Sequence, residues 1–259
     1  MRLKIKESFV GNFMSEYPIS VDPKVSFKKI VDFMADKKIS TIIVMEEKSA
    51  KPQGILTERG ILHYIAKEGK IPNIPIKDVI IQPYVSVAPD TNIVQAAKLM
   101  LSKKSRVLVF ADKNKLVGII TAYDMLKSLK ETRKAPTLDK VISTKVYQCT
   151  YGTSILDAAK ILHTKKIGSI LVQDVDSSYG IFTQRDVVKA LGKKVSLNSK
   201  VGKYTSFPLI TAKKKILANE AARIMITKSI KRLPLVEKDA IVGIVTARDV
   251  VDAYVQYLS

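Results

Sequence analysis

Three stretches of the chain set a hydroxyl and an acid three residues apart, just ahead of a helical apolar pattern: Thr121-Ala-Tyr-Asp124, Thr183-Gln-Arg-Asp186 and Thr246-Ala-Arg-Asp249. A fourth, Thr57-Glu-Arg-Gly60, keeps the hydroxyl and has glycine where the acid belongs. Such a corner has two chemical readings. As a capping box, the threonine accepts from the third helical amide and the acid reaches back to the cap amide. As an anion site, free amides and the positive helix end face a phosphate, while the carboxylate accepts from sugar hydroxyls. The readings are compatible, because the cap fixes the acid in place.

Basic residues start the strands that lead toward two of these corners: Lys231 and Arg232 in Lys231-Arg-Leu-Pro234, and Arg106 in Ser105-Arg-Val-Leu108. A base there is either a phosphate clamp or a solvated charge at a strand end. Other chemistry is not visible. The chain has no His-Glu-x-x-His, no cysteine pair at metal spacing and no P-loop, since its Gly-Lys dipeptides are never followed by Ser or Thr. His63 and His163 each stand alone in a predicted helix and read as core or surface residues rather than metal ligands. The single cysteine, Cys149, reads as a packed strand residue, rules out an intramolecular disulfide and suits a cytoplasmic protein.

The corners are positioned by a repeated unit. Each follows a short β-branched run opened by or containing a glycine, at Gly54, Gly118, Gly180 and Gly243, spaced 64, 62 and 63 residues apart. In the first copy, Pro18 to Pro23 reads as extended, and Phe27, Ile30, Val31 and Met34 share a helix face. Ser40 to Met45 and Gly54 to Thr57 read as strands, and a helix from about Glu58 to Lys67 closes the unit. The other copies reuse the plan. Strands are expected at Arg106 to Phe110, Gly118 to Thr121, Ser169 to Gln173 and Gly180 to Thr183, with a last helix over Ala247 to Leu258. The fold class is therefore α+β, four β-α-β-β-α repeats, each too small to stand alone with both helix faces apolar, so the repeats must pack in pairs. Polar, proline-bearing Glu131 to Thr137 marks the midpoint boundary.

Composition narrows the classes. A hydrophobic content of 46% excludes a largely disordered chain. No apolar run approaches the about 18 residues a membrane span needs. Met1 to Lys6 has no apolar core behind it and does not read as a signal peptide. The net charge is +20, spread as +9 over residues 1–130 and +11 over the rest, with no basic tail. Many lysines have a structural use: Lys37-Lys38, Lys103-Lys104, Lys165-Lys166 and Lys228 follow the first helix of each repeat, where a cation offsets the macrodipole by about 0.3–1 kcal/mol. Heavy lysine use also fits a thermophile. A charge of +20 still attracts polyanions, so weak, salt-sensitive nucleic acid binding is the competing functional class. Against it, the chain has no Trp and only 7% aromatics, lacking the platforms of single-strand binders.

The pattern Lys231-Arg-Leu-Pro-Leu-Val236, loop, Val242-Gly-Ile-Val-Thr-Ala-Arg-Asp249 closely resembles the cystathionine-β-synthase (CBS) domain, and all four repeats fit. The resemblance implies head-to-tail pairing into two Bateman modules, 1–131 (repeats about 9–70 and 74–131) and 137–259 (repeats about 137–194 and 195–259). It implies adenosine-containing ligands (AMP, ADP, ATP or S-adenosylmethionine) in clefts between paired repeats, with no cofactor and no catalysis. By the same resemblance, Asp124, Asp186 and Asp249 would hold ribose hydroxyls, and Thr121, Thr183 and Thr246 would line the phosphate side. Arg106, Lys231, Arg232, Arg185 and Arg248 would meet phosphates. With no enzyme attached, the output would pass through a protein partner or through a homodimer formed by the modules. Gly60 puts ribose binding at the first repeat in question, and repeats one and three lack a base at the strand start (Ser40-Thr41, Gly168-Ser169).

Overall fold

The computed structural model describes residues 7–49, 51–79, 81–111 and 115–258, so the reading of Met1 to Lys6 lies outside the described residues. After β1 (Ser15–Glu16), repeat one runs through β2 (Ser20–Val21), α1 (Phe27–Asp36), β3 (Thr41–Val44), β4 (Gly54–Thr57) and α2 (Glu58–Glu68). Repeat two contains β5 (Tyr84–Val87), α3 (Ile93–Ser102), β6 (Arg106–Ala111), β7 (Lys115–Ile120) and α4 (Ala122–Leu129). Repeat three contains β8 (Gln148–Thr150), α5 (Ile155–Thr164), β9 (Ser169–Gln173), β10 (Tyr179–Thr183) and α6 (Gln184–Gly192). Repeat four contains β11 (Ala212–Lys213), α7 (Ala218–Thr227), β12 (Arg232–Glu237), β13 (Ala240–Thr246) and α8 (Ala247–Leu258). The expected β-α-β-β-α plan holds in every copy. Each sheet joins its first strand parallel to the second and its second antiparallel to the third.

The first helix of each repeat ends alike. Lys38, Lys104, Lys166 and Ser229 take left-handed backbone angles (φ 55°, 49°, 55° and 54°). The amide after each reaches five residues back, Ile39 to Met34, Ser105 to Met100, Ile167 to Leu162 and Ile230 to Met225, closing a Schellman turn. The preceding lysine (37, 103, 165 or 228) caps the helix, so the structural reading of these lysines is right.

Two compact units form, and they do not follow chain order. One takes residues 1–18, 84–146 and 210–259, joining repeats two and four; the other takes 19–83 and 147–209, joining repeats one and three. In the first, α4 packs on α7 and α8, and α3 on α8, around Met100, Leu126, Met225, Val250 and Tyr254. In the second, α1 packs on α6 and α2 on α5, around Phe27, Ile61, Leu162 and Phe182. The apolar helix faces thus find partners two repeats along.

The connecting segments do the reverse. The segment before repeat one adds β1 to β7 of repeat two, with Glu16 opposite Gly118. Gln82, ahead of repeat two, bridges Ile55 of repeat one; Ser143, ahead of repeat three, bridges Ile244 of repeat four; and Ser206, ahead of repeat four, bridges Ile181 of repeat three. Phe9 to Pro18 therefore serves repeat two, not repeat one as its position in the chain suggests. Each repeated glycine sits under such a segment. A Cβ at Gly243 would lie 2.4 Å from Ile142 and 3.1 Å from the Ser143 carbonyl, and one at Gly180 2.5 Å from Thr205. The midpoint segment is tied down as well: the Lys130 and Thr132 carbonyls accept from Arg223 and Asn219, and the Thr132 hydroxyl bonds the buried Tyr254 hydroxyl, which burial pushes up to about 12.

Candidate functional site

All three acid-bearing corners form as read. The Thr121 amide and hydroxyl donate to Asp124 Oδ2 at 3.0 and 2.7 Å; at Thr183 and Asp186 the distances are 2.9 and 2.7 Å, and at Thr246 and Asp249 2.7 and 2.8 Å. Each acid thus commits one oxygen to its own cap. The other oxygen differs. Asp124 Oδ1 lies 3.6 Å from Lys127 and Asp186 Oδ1 3.3 Å from Lys189, both one turn on. At the last corner residue 252 is an aspartate. Burial pushes the Asp249 carboxyl above its ordinary value, the bonds from Thr246 oppose the rise, Asp252 adds to it and Arg248 offsets it. In repeat one, Thr57 accepts from the Gly60 amide at 3.3 Å, half of the box.

The strand-start residues stand across from the caps. Arg232 is in register with Thr246, Ser169 with Thr183 and Thr41 with Thr57. Arg106 precedes Val107, which is opposite Ile120, the residue before Thr121. Directly opposed residues in an antiparallel pair lie about 4.5–5.5 Å apart at Cβ, so the Arg232 side chain starts beside the Thr246 cap. Lys231 sits elsewhere: its ammonium lies 5.6 Å over the Tyr123 ring.

The residue between the cap and the acid crosses to the facing repeat, a role not legible in the sequence. Arg248 donates to the Met100 and Leu101 carbonyls at the end of α3, at 2.5 and 3.2 Å. Tyr123, which replaces arginine in repeat two, reaches the Met225 carbonyl at the end of α7 (3.5 Å). Arg59 donates to the Lys166 carbonyl just past α5 (3.1 Å). Arg185 instead pairs with Glu58 at 3.0 Å. Arg185 and Arg248, assigned to phosphates by resemblance, are here engaged with protein groups at helix ends. The acid missing at Gly60 stands two residues earlier as Glu58, aimed at the facing repeat. Among the described residues, no group of three or more His, Cys, Asp or Glu side chains could hold a metal. No helix among them is long and apolar enough to cross a membrane.

Four capped strand-to-helix corners recur on four small repeats, each combining a small sheet with two helices. The chain belongs to the CBS domain family, which matches residues 10–67, 76–131, 138–193 and 201–256. The uncharacterized protein MJ1225 of Methanocaldococcus jannaschii is 28% identical over 184 residues, covering 64% of this chain and 66% of that protein. The crystal structure of MJ1225 superposes with a TM-score of 0.81 at 21% identity, over 97% of this chain and 100% of that one. The uncharacterized protein MJ1404 of the same organism is 25% identical over 270 residues, 97% of this chain and 62% of its own length. A conserved protein from Pyrococcus horikoshii matches with a TM-score of 0.64 at 20% identity, over 95% of this chain and 99% of that one. The two solved structures share the fold, and the chain spans 62–66% of the length of the two curated relatives.

Proposed function

We propose that the chain is a non-catalytic, cytoplasmic sensor of an adenosine-containing nucleotide (AMP, ADP, ATP or S-adenosylmethionine), bound at the Thr-x-x-Asp corners. One observation carries the reading: Arg232 stands in register opposite Thr246, so the Asp249 corner offers a cation for phosphate and an acceptor for sugar hydroxyls together. Arg106, Thr121 and Asp124 offer the same set in repeat two, whereas Thr183 and Asp186 lack the strand-start base. Membership of the CBS domain family supports the ligand class. In this reading the two ligand-binding modules are 1–131 and 137–259. The signal passes to a protein partner or through a homodimer.

Calorimetric titration of the full chain with AMP, ADP, ATP and S-adenosylmethionine tests this, with a short DNA duplex alongside at two salt concentrations. Nucleotide binding should survive salt, while duplex affinity should fall with log salt at about −0.9 per phosphate contacted. Asp249→Ala should weaken binding about tenfold or more, since a hydrogen bond to a charged group contributes about 1.5–3 kcal/mol. Salt-resistant duplex binding with no nucleotide response would replace this reading with the nucleic-acid one.

A further inference from the structure

His63 on α2 and His163 on α5 are the chain's only histidines, and they meet edge to face with ring centres 5.1 Å apart. Both are half-buried, at a helix pair whose core includes Leu62, Ile65, Ala158 and Leu162. The charges around them are cationic. Arg59, one turn before His63, donates to the Lys166 carbonyl just past α5, and Lys67 follows one turn after His63. The acids of the packed helices are engaged elsewhere: Glu58 with Arg185 at 3.0 Å, Asp157 with Lys160 at 3.7 Å and Asp186 with Lys189 at 3.3 Å. Glu68 is exposed at the last position of α2, and Lys165 lies 5.7 Å over the Tyr147 ring. The strands beneath, β4 and β9, carry no charged residue. Corresponding positions in the other helix pairs hold Lys127 and Ile226 (α4 and α7), Asp252 and Leu101 (α8 and α3), and Lys189 and Ala35 (α6 and α1). One joint of the four thus carries groups that titrate near neutral pH.

We propose that this joint is an acid-sensitive hinge: charging the His63–His163 pair among Arg59, Lys67 and Lys166 loosens α2 from α5, while the unit of repeats two and four stays closed. Neutral rings pack edge to face as an aromatic pair. Two imidazolium rings in the same place repel each other, and the neighbouring cations add to the repulsion. Burial first, then His63, Lys67 and Arg59, hold His163 below its ordinary value of 6.5. The closed joint therefore binds the His163 proton less tightly than the open one does. Its stability is fully present above pH 6.5 and is lost as pH falls through 6.5 toward the lowered value. Because both rings are half-buried, solvent screens part of the repulsion, and the response is local opening rather than unfolding. Repeats one and three thereby gain a response to protons that repeats two and four lack. The inference does not depend on ligand recognition at the Asp249 corner.

Amide hydrogen exchange of the full chain at about pH 5.5 and about pH 7.5, either side of the ordinary histidine value, tests this in buffer free of phosphate and nucleotide. Imidazole NMR runs alongside and reads this joint alone, since both histidines are here. Protection, corrected for the intrinsic pH dependence of exchange, should fall severalfold in α2 and α5 on acidification and hold in α4 and α7. The His163 signal should titrate with a midpoint below 6.5. His163→Gln should remove most of the acid response, and His163→Lys should give the low protection at both pH values. Lys67→Gln changes an exposed residue and keeps both rings. It should raise the His163 midpoint and shrink the acid response at an unchanged melting temperature near neutral pH. Equal loss of protection in α4 and α7, an undiminished response in His163→Gln and Lys67→Gln, or a His163 midpoint at or above 6.5 would overturn the proposal.

Discussion

The two compact units solve one packing problem with different chemistry. In the unit of repeats two and four, both crossing residues end on helix carbonyls: Arg248 on the end of α3 and Tyr123 on the end of α7. In the unit of repeats one and three, Arg59 keeps that habit, but Arg185 pairs with a carboxylate that repeat one moved from the third helical position to the first. The first arrangement uses each acid for its own cap; the second converts one acid into a link between repeats. The lesson is that a position can lose its local role in one repeat and leave both pairing and fold intact. Equivalent positions are thus free to diverge into different sites.

The largest expected effect tests what the units share. Valine at Gly243 or Gly180 would put a Cβ within 2.4–2.5 Å of the crossing segment, in one unit each. Overpacking of this kind should destabilise each variant by about 3 kcal/mol. Gly118 has the same nominal overlap, 2.4 Å, but with the flexible end of Met14, so Gly118→Ala should cost much less. Urea unfolding of the three variants checks this ranking. A mild effect at Gly243 would mean that the exchanged segment is loosely held there.

How much of this was legible follows from which contacts are local. The corners and the helix-capping lysines rest on residues close in sequence, the four-part plan on glycines 62–64 residues apart, and the sequence places Gly54 to Thr57, Ser169 to Gln173 and the last helix to the residue. The cap half of the reading of Asp249, Asp186 and Asp124 is legible because a capping box is a pattern within one turn. The crossing role of Arg248 was not visible: its partners are 147 and 148 residues away, and a cation beside an anion-accepting corner looks like a ligand contact. His63 and His163 read as solitary for the same reason. Nothing in periodicity says that helices join alternate repeats while connecting segments join consecutive ones.

The next effect separates the two crossing modes. Arg248→Met removes the donor to two carbonyls and should cost about 2 kcal/mol. Arg185→Met breaks a pair whose arginine is 33% exposed and whose glutamate is 15% exposed, and should cost about 1 kcal/mol. Adding Glu58→Gln to Arg185→Met should recover part of that loss, since no half-buried charge remains unpaired. Equal costs for the two arginines, measured by chemical denaturation, would erase the distinction between the units.

Smaller still is the effect at the helix ends, where the units should agree. Lys38 and Lys104, one in each unit, hold left-handed angles that glycine adopts freely. Lys38→Gly and Lys104→Gly should each stabilise by about 0.5 kcal/mol, the relief of strain exceeding the added freedom of the unfolded chain. A gain in one unit only would show that the Schellman ends are not equivalent.

The smallest effect concerns the one acid without a lysine a turn later. Asp249 has a folded-state pKa raised above its ordinary 3.8, by burial first and by Asp252 among the lesser causes. A carboxyl raised on folding binds its proton more tightly in the native state, so its charged form detracts from stability above the raised pKa. That penalty fades as pH falls through the raised value toward 3.8. Asp252→Lys removes the like charge and recreates the spacing of Lys127 with Asp124 and Lys189 with Asp186. The expected gain is about 0.3 kcal/mol near neutral pH. Asp252→Gln is the control, because glutamine matches lysine in helix propensity and both variants lose the bond from Gln256 to Asp252. The difference between the two variants should disappear once Asp249 is protonated. Denaturant unfolding across the acid range measures it, and a lysine advantage that persists at the lowest pH would place its origin outside the Asp249 charge.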